Sequence, residues 1–392
     1  MRSFPDKYGT HLYIIFFYAS NGAFMPFLGF WYSEQGLTNQ QIGLLASLGP
    51  LIGLVAQPLW GILCDRFGIQ KQVLAFCILI TPVIAFGYMF ADVGLWLLIV
   101  TSLLYSFFYC AVMPLSDSIA VNHAIRRGQS YGAIRVLGSI SYGIVIIPLG
   151  MLYSAYGNSV MFAVNLLMMI AVAVALSGVK SEGDRPHGKG SLVQGAAQLL
   201  RQKTFLFFLL LVAFVSIGSN FHRAFFAVYV GQLGGEVSEK IGMLNAVSSI
   251  SEIPMFLLAG YWIRKFGYFP VLTFVALGGA LRWWLLSLEP SYVIMMASQS
   301  LHGISFALFM AVGVTFAFQM SPEGLKNTGQ TLFTVVNASL ANIIASNGGG
   351  WLMDHTSGGF SMLFGIGAIC SVIGSVGFIT LSFYRRMAMT AK

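Results

Sequence analysis

Charge is what this chain has least of. Asp, Glu, Lys and Arg together make up 9% of its 392 residues, against roughly 25% in an ordinary soluble domain. A water-facing surface on a chain this long needs more charge than that, which speaks against a soluble protein with a large core. Cysteine is scarce too. Cys64, Cys77, Cys110 and Cys370 form no CxxC pair, and each lies in or beside an apolar run. They read as small buried hydrophobes, not as a disulfide framework or a metal site. No HExxH, GxSxG or ATP-binding signature occurs, so neither a hydrolase nor an ATP-driven pump is indicated.

What fills the chain instead is apolar. Hydrophobic residues make up 57%, and the mean hydropathy is +0.79. Apolar runs fall near 10–32, 40–64, 72–91, 94–123, 130–155 and 158–178, then near 204–231, 239–263, 269–288, 291–318, 328–353 and 360–384. Each approaches the roughly 20 residues a membrane-crossing helix needs. They are too long and too uniform for barrel strands. The first run reads as a retained span and not a cleaved leader, because it exceeds the length of a leader's apolar core and similar runs follow it. The segment 179–203 is polar and carries Gly, Pro and mixed charge, as a linker does. The expected architecture is therefore an all-α integral membrane protein of twelve transmembrane helices. An N-terminal six-helix bundle covers 1–178, a cytoplasmic linker 179–203, and a C-terminal six-helix bundle 204–392.

The net charge of +8 fits this topology better than nucleic acid. With both termini inside, only Lys240 of the 21 lysines and arginines falls in an outer loop, and Arg135, Arg223 and Arg282 fall within apolar runs. The remainder lie in inner loops and ends, as the positive-inside rule requires. The halves also repeat. "QIGLLASL" from Gln41 matches "KIGMLNAV" from Lys240, and "GILCDRFG" from Gly61 matches "GYWIRKFG" from Gly260, both at an offset of 199 residues. Two six-helix halves on one plan are a transporter signature, with the solute site expected between them near the bilayer midplane.

"GILCDRFGIQK", Gly61 to Lys71, resembles the loop signature between helices 2 and 3 of the major facilitator superfamily. The resemblance implies the major facilitator fold, two pseudo-symmetric six-helix bundles. It also implies a conformational gate made by Gly61, Asp65, Arg66, Gly68 and Lys71. The second copy carries Arg264 in place of the aspartate. Further stretches, "PLSDSIA" (114–120), "YGAIRVLGS" (131–139), "SEIPMF" (251–256), "LRWWLL" (281–286) and "QSLHGISF" (299–306), resemble the branch of phenylpropionate-permease-like and lactose-permease-like proton symporters. That branch implies proton-coupled import of a small organic solute by alternating access. The partners implied are the solute, protons and the lipid bilayer, with no nucleic acid. The energy source is the proton gradient, with no cofactor. The protein is expected to be a monomer in the cell (inner) membrane.

Ionisable groups inside a span cost about 2.5–3.5 kcal/mol on insertion scales, so each is a functional candidate. Asp117 lies about seven residues, and Arg135 about five, from the inner ends of adjacent spans. At 1.5 Å per residue, those depths are about 10 and 8 Å. The two can meet, either as a permanent ion pair or as solute ligands. Resemblance to lactose-permease-like proteins favours solute binding by Asp117 and Arg135, with Tyr142 stacking on a ring. Glu252, Arg282 and His302 lie near the midplane. An acid there holds a proton when the arginine is away and releases it when the arginine approaches, so the three form the expected proton-coupling set. The resemblance is incomplete. Ser305 stands where lactose-permease-like proteins have an acid, Gln299 where they have a lysine, and Met255 where they have a sugar-binding asparagine. Galactoside recognition is therefore not expected. His222 and Asn337, with Asn21, are further solute-site candidates, although an interhelical hydrogen bond accounts for either asparagine. Arg223 is open between snorkelling and ligation. Intramembrane arginines outnumber acids, which favours an aromatic carboxylate as solute. A neutral sugar or nucleoside is the alternative. Proton-antiport export is disfavoured, because "GSISYGIVIIPLG" lacks the glycine- and proline-rich motif of drug antiporters. No catalytic constellation supports an enzyme.

Overall fold

The computed structural model describes residues 4–127, 131–179 and 192–390. Among the described residues there are helices and connecting turns and no strand. The first half contains α1 (Phe4–Glu34), α2 (Asn39–Phe67), α3 (Gln70–Ala85, extended by a 3-10 turn, Phe86–Val93), α4 (Leu95–Arg127), α5 (Tyr131–Tyr156) and α6 (Val160–Ser177). A short α7 (Leu192–Leu200) precedes α8 (Lys203–Gly231), α9 (Val237–Phe266) and α10 (Tyr268–Ser287). The next span is α11 (Tyr292–Gln299), a π turn (Gly303–Leu308) and α12 (Phe309–Met320). After it come α13 (Lys326–Thr334), a second π turn (Val335–Leu340), α14 (Ala341–His355) and α15 (Gly359–Thr390).

Helix is what a bilayer demands, since hydrocarbon supplies no partner for a free N–H or C=O. Among the described residues, eleven helical segments are long and apolar enough to cross a membrane. The twelfth expected span, α13 through α14, is helical but more polar, because it carries Asn337, Asn342 and Asn347. Large apolar side chains such as Val55, Ile62, Leu167, Val174 and Val293 are exposed. On a soluble protein such a surface would be a liability; here it is the lipid-facing surface.

The internal repeat is visible in backbone detail. α2 ends at Phe67 and α9 at Phe266, and each is followed by a glycine in the left-handed region, Gly68 at φ 63° and Gly267 at φ 80°. Each glycine N–H closes the helix onto the carbonyl four residues back, Cys64 and Ile263, as an αL cap does. The start of α2 is held by a capping box, with Thr38 Oγ accepting from Gln41 N–H and Gln41 Oε1 accepting from Thr38 N–H.

Packing divides the chain into two compact units, Met1–His187 with Ala227–Ile250 and Gly188–Phe226 with Ser251–Lys392. This grouping differs from a division at the linker, because it assigns the end of α8 and the beginning of α9 to the first unit. Polar contacts tie the beginning of α9 to that unit. Ser238 Oγ donates to Asn158 Oδ1 (2.5 Å), Ser249 Oγ donates to the Ser139 carbonyl (2.8 Å), and Glu239 N–H donates to Ser154 Oγ (3.1 Å). Part of the expected linker is also helical. α7 buries Leu199 in the core of the second unit, where Phe208, Phe316, Phe333 and Phe378 meet. Positions 180–191 of the expected linker lie outside the described residues.

Candidate functional site

In the first unit, Asp117 on α4 and Arg135 on α5 are both half-buried, and both engage Tyr18 of α1. The Tyr18 hydroxyl lies 3.5 Å from Asp117 Oδ1 as donor, and its ring centre lies 4.1 Å from the Arg135 guanidinium carbon. The ring fits because position 138 is glycine; a Cβ there would come within 2.3 Å of it. One phenol therefore holds a carboxylate through its hydroxyl and a guanidinium over its π face. One turn along α1, Asn21 donates to the Phe17 carbonyl (2.8 Å) and accepts from the Tyr109 hydroxyl of α4. Asn21 is thus engaged as an interhelical tie. Tyr142 of α5 packs beside Gly22 of the same α1 face. Asp117, Arg135 and Tyr142, expected as solute ligands, therefore gather along one face of α1.

The second unit holds a denser cluster around Arg282, which is 1% exposed. Nη1 donates to His302 Nδ1 at 2.7 Å and to Ser305 Oγ at 3.3 Å. Nη2 donates to His222 Nε2 at 3.0 Å and to Gln299 Oε1 at 2.6 Å. The far side of His302 reaches Glu252, with Nε2 3.2 Å from Oε1. The expected Glu252, Arg282 and His302 set is therefore assembled as a chain, acid to imidazole to guanidinium. Glycine again permits the geometry. Gly303 opens the π turn, and a Cβ there would fall 2.0 Å from the Ser251 carbonyl. α9 can therefore lie directly against the turn, with Ser251 Oγ accepting from Gly303 N–H (2.9 Å). That contact brings Glu252 beside His302. π turns commonly occur at functional sites.

Two further solute-site candidates, His222 and Asn337, lie in the second unit. His222 belongs to the Arg282 cluster, stacked on Phe226 with ring centres 4.0 Å apart. Asn337, at the π turn between α13 and α14, is buried. Its Oδ1 accepts from Ser216 (2.6 Å), its Nδ2 faces Met310 Sδ (3.1 Å), and its main-chain carbonyl accepts from Asn220 (3.0 Å). These contacts make it part of a ladder joining α8 to the α13–α14 span, extended by Asn342 donating to Asn220 (3.1 Å). Arg223 is exposed.

Of the expected gate residues, Gly68 is the αL cap of α2 and Gly61 stands on the last turns of that helix. Arg66 is exposed, 5.4 Å from the Phe67 ring. The Asp65 side chain lies outside the described residues. Lys71 reaches the end of α6, donating to the Ser177 carbonyl (3.2 Å) and to the Val179 carbonyl. A cation on the last carbonyls of a helix satisfies orphan acceptors and offsets the dipole. Lys71 thus has a capping role within its own unit.

Tyr18, Gln299 and Ser305 are the site residues that sequence reasoning did not single out as ligands. Their signals were present but weak. Tyr18 and Asn21 share a helical face at i, i+3, and Gln299, His302 and Ser305 repeat at three-residue intervals.

Comparison with known proteins follows the same lines. The MFS_1 like family matches residues 10–364. The chain is 29% identical to the maltose permease of Geobacillus stearothermophilus over 96% of this chain and 94% of that protein. It is 25% identical to a probable 3-phenylpropionic acid transporter of Escherichia coli (strain K12) over 76% and 78% of the respective chains. A crystal structure of the nucleoside transporter NupG superposes with a TM-score of 0.78 at 17% identity, covering 95% of this chain and 98% of that one. The last likeness concerns the fold.

Proposed function

The chain belongs to the MFS_1 like family and is a multi-pass membrane permease, and on that premise we propose that it is a proton-coupled symporter importing a neutral hydroxylated solute, a sugar or nucleoside. One observation carries the solute class. Tyr18 gathers one carboxylate and one guanidinium, Asp117 and Arg135, so this site already holds a negative and a positive charge. A solute rich in hydroxyls can bond to both groups and stack on an aromatic such as Tyr142. A carboxylate solute would add a second negative charge beside Asp117 and meet repulsion. The name of one similar protein, a maltose permease, supports the same class.

The coupling follows from Glu252. A carboxyl group can carry one proton, and a guanidinium brought against it favours the carboxylate. Arg282 stands one imidazole away. Rearrangement of this chain during alternating access would load or release one proton, while Asp117 and Arg135 hold the solute. In this reading both termini face the cytoplasm.

A second reading, import of an aromatic carboxylate, draws on the exposed Arg223 and on the similarity to a probable 3-phenylpropionic acid transporter. Proteoliposomes of the full chain, given an inward proton gradient and a panel of maltose, uridine and 3-phenylpropionate, separate the two. Accumulation of maltose or uridine that collapses with a protonophore is expected. Accumulation of 3-phenylpropionate alone transfers the proposal to the second reading, and equilibration without accumulation makes the protein a uniporter.

A further inference from the structure

Arg282 dictates the protonation of its neighbours. A guanidinium has five N–H donors and no acceptor. Each ring nitrogen that faces it must therefore offer a lone pair. His302 uses Nδ1 and His222 uses Nε2 for this purpose, so both imidazoles are neutral in this arrangement. Their tautomers follow from the network. His302 carries its proton on Nε2, which is the nitrogen 3.2 Å from Glu252 Oε1. His222 carries its proton on Nδ1. Of the three groups that titrate, Glu252 is left as the one able to take up a proton with every Arg282 hydrogen bond intact.

The guanidinium is also held from two sides. Its Nη1 is tied to His302 and Ser305, and its Nη2 is tied to His222 of α8 and Gln299 of α11. The His222 ring is pinned by stacking on Phe226 and stands 5.7 Å from the Trp283 ring and 6.3 Å from the His302 ring, centre to centre. Trp283 in turn underlies Arg282, whose guanidinium carbon lies 4.6 Å from the Trp283 ring centre. The ionisable groups around His222 are thus Arg282 on α10, His302 at the π turn, Glu252 on α9 beyond it, and its own neighbour Arg223.

We propose that His222 is a positioning residue for proton coupling: it anchors Arg282 to α8 and thereby keeps the guanidinium one imidazole away from Glu252. Release of His222 leaves Nη2 held by Gln299 alone, so the guanidinium can tilt towards Glu252. Release follows when α8 moves, or when Nε2 gains a proton and turns from acceptor into donor facing a cation. The approaching guanidinium then stabilises the carboxylate, and the proton leaves Glu252. This inference rests on Glu252 being the proton site proposed above, and it names the residue that times the release.

The test needs no solute. The purified full chain in lipid is titrated with pH while the carboxylic acid C=O band is followed by infrared difference spectroscopy. The Glu252 band is assigned by its loss in Glu252→Gln. In His222→Ala the midpoint of that band is expected at lower pH, a fall in proton affinity of about tenfold or more. In His222→Gln, whose Oε1 can still accept from Nη2, the midpoint is expected to return towards wild type. A purely packing role for His222 would change thermal stability without moving the midpoint. An unmoved midpoint in His222→Ala, or a His222→Gln midpoint displaced as far as that of His222→Ala, overturns the proposal. Failure of gradient-driven uptake in wild type would sink the symport reading without altering this titration, so the two can fail separately.

Discussion

The two units use the same pair of charge types in opposite ways. In the first, Asp117 and Arg135 are half-buried and share one tyrosine. In the second, Arg282 is 1% exposed and donates to four neutral acceptors, with Glu252 reached through an imidazole. A half-buried pair held by an aromatic face can exchange partners with an entering solute. A guanidinium whose two terminal nitrogens are bonded inside the protein can respond when one of its acceptors is withdrawn. The difference is therefore one of accessibility, and under the proposed function it separates the solute ligands from the proton relay.

The largest effect on this contrast should come from removing the relay acid. Glu252→Gln is expected to abolish gradient-driven accumulation in proteoliposomes while leaving counterflow exchange, and accumulation at wild-type levels would remove Glu252 from coupling. Next comes Arg135→Ala, expected to weaken solute binding by about 10- to 100-fold, as loss of a charge-assisted hydrogen bond does; isothermal titration at near-normal affinity would make the Asp117 and Arg135 set a structural one. Asn337→Ala should separate scaffold from site, lowering stability by about 1–2 kcal/mol through the lost buried hydrogen bonds. Its solute affinity should stay within about twofold on the assumption that such ties lie outside the ligand site, and a larger loss would return Asn337 to that site. Smallest should be Tyr18→Phe, which keeps the π face under Arg135 and removes the hydroxyl facing Asp117. A few-fold loss of affinity is expected, against a larger one for Tyr18→Ala, where the cation–π contact of about 0.5–2 kcal/mol is also lost. Equal losses in the two variants would mean the hydroxyl carries the whole effect.

Much of this is legible in the amino-acid sequence. Long uncharged runs, the 199-residue offset and the distribution of lysine and arginine identified the helices and their duplication. Matching depths from the helix ends paired Asp117 with Arg135. The paired caps at Gly68 and Gly267 show the repeat reaching the backbone. Other features were hidden. Tyr18 looks like one aromatic among 14%, and only the position of Gly138 on another helix gives its ring a place. His222 reads as a residue near a helix end until the α10 arginine is seen against it. Asn337 could not be divided between cavity and packing by sequence, because the deciding partners, Ser216 and Asn220, lie more than a hundred positions away.

The amino-acid sequence by itself determined that the chain is a membrane protein of duplicated helices with a few internal charges. Hydrocarbon admits helices, and each charge inside it must serve a purpose. The tertiary structure alone decided which charge faces which partner. Neighbouring side chains on different helices are brought together by packing and by the places where glycine lets helices touch, at Gly138 and Gly303. Hydrogen-bond chemistry depends on those contacts of a few ångströms, and hydropathy does not record them.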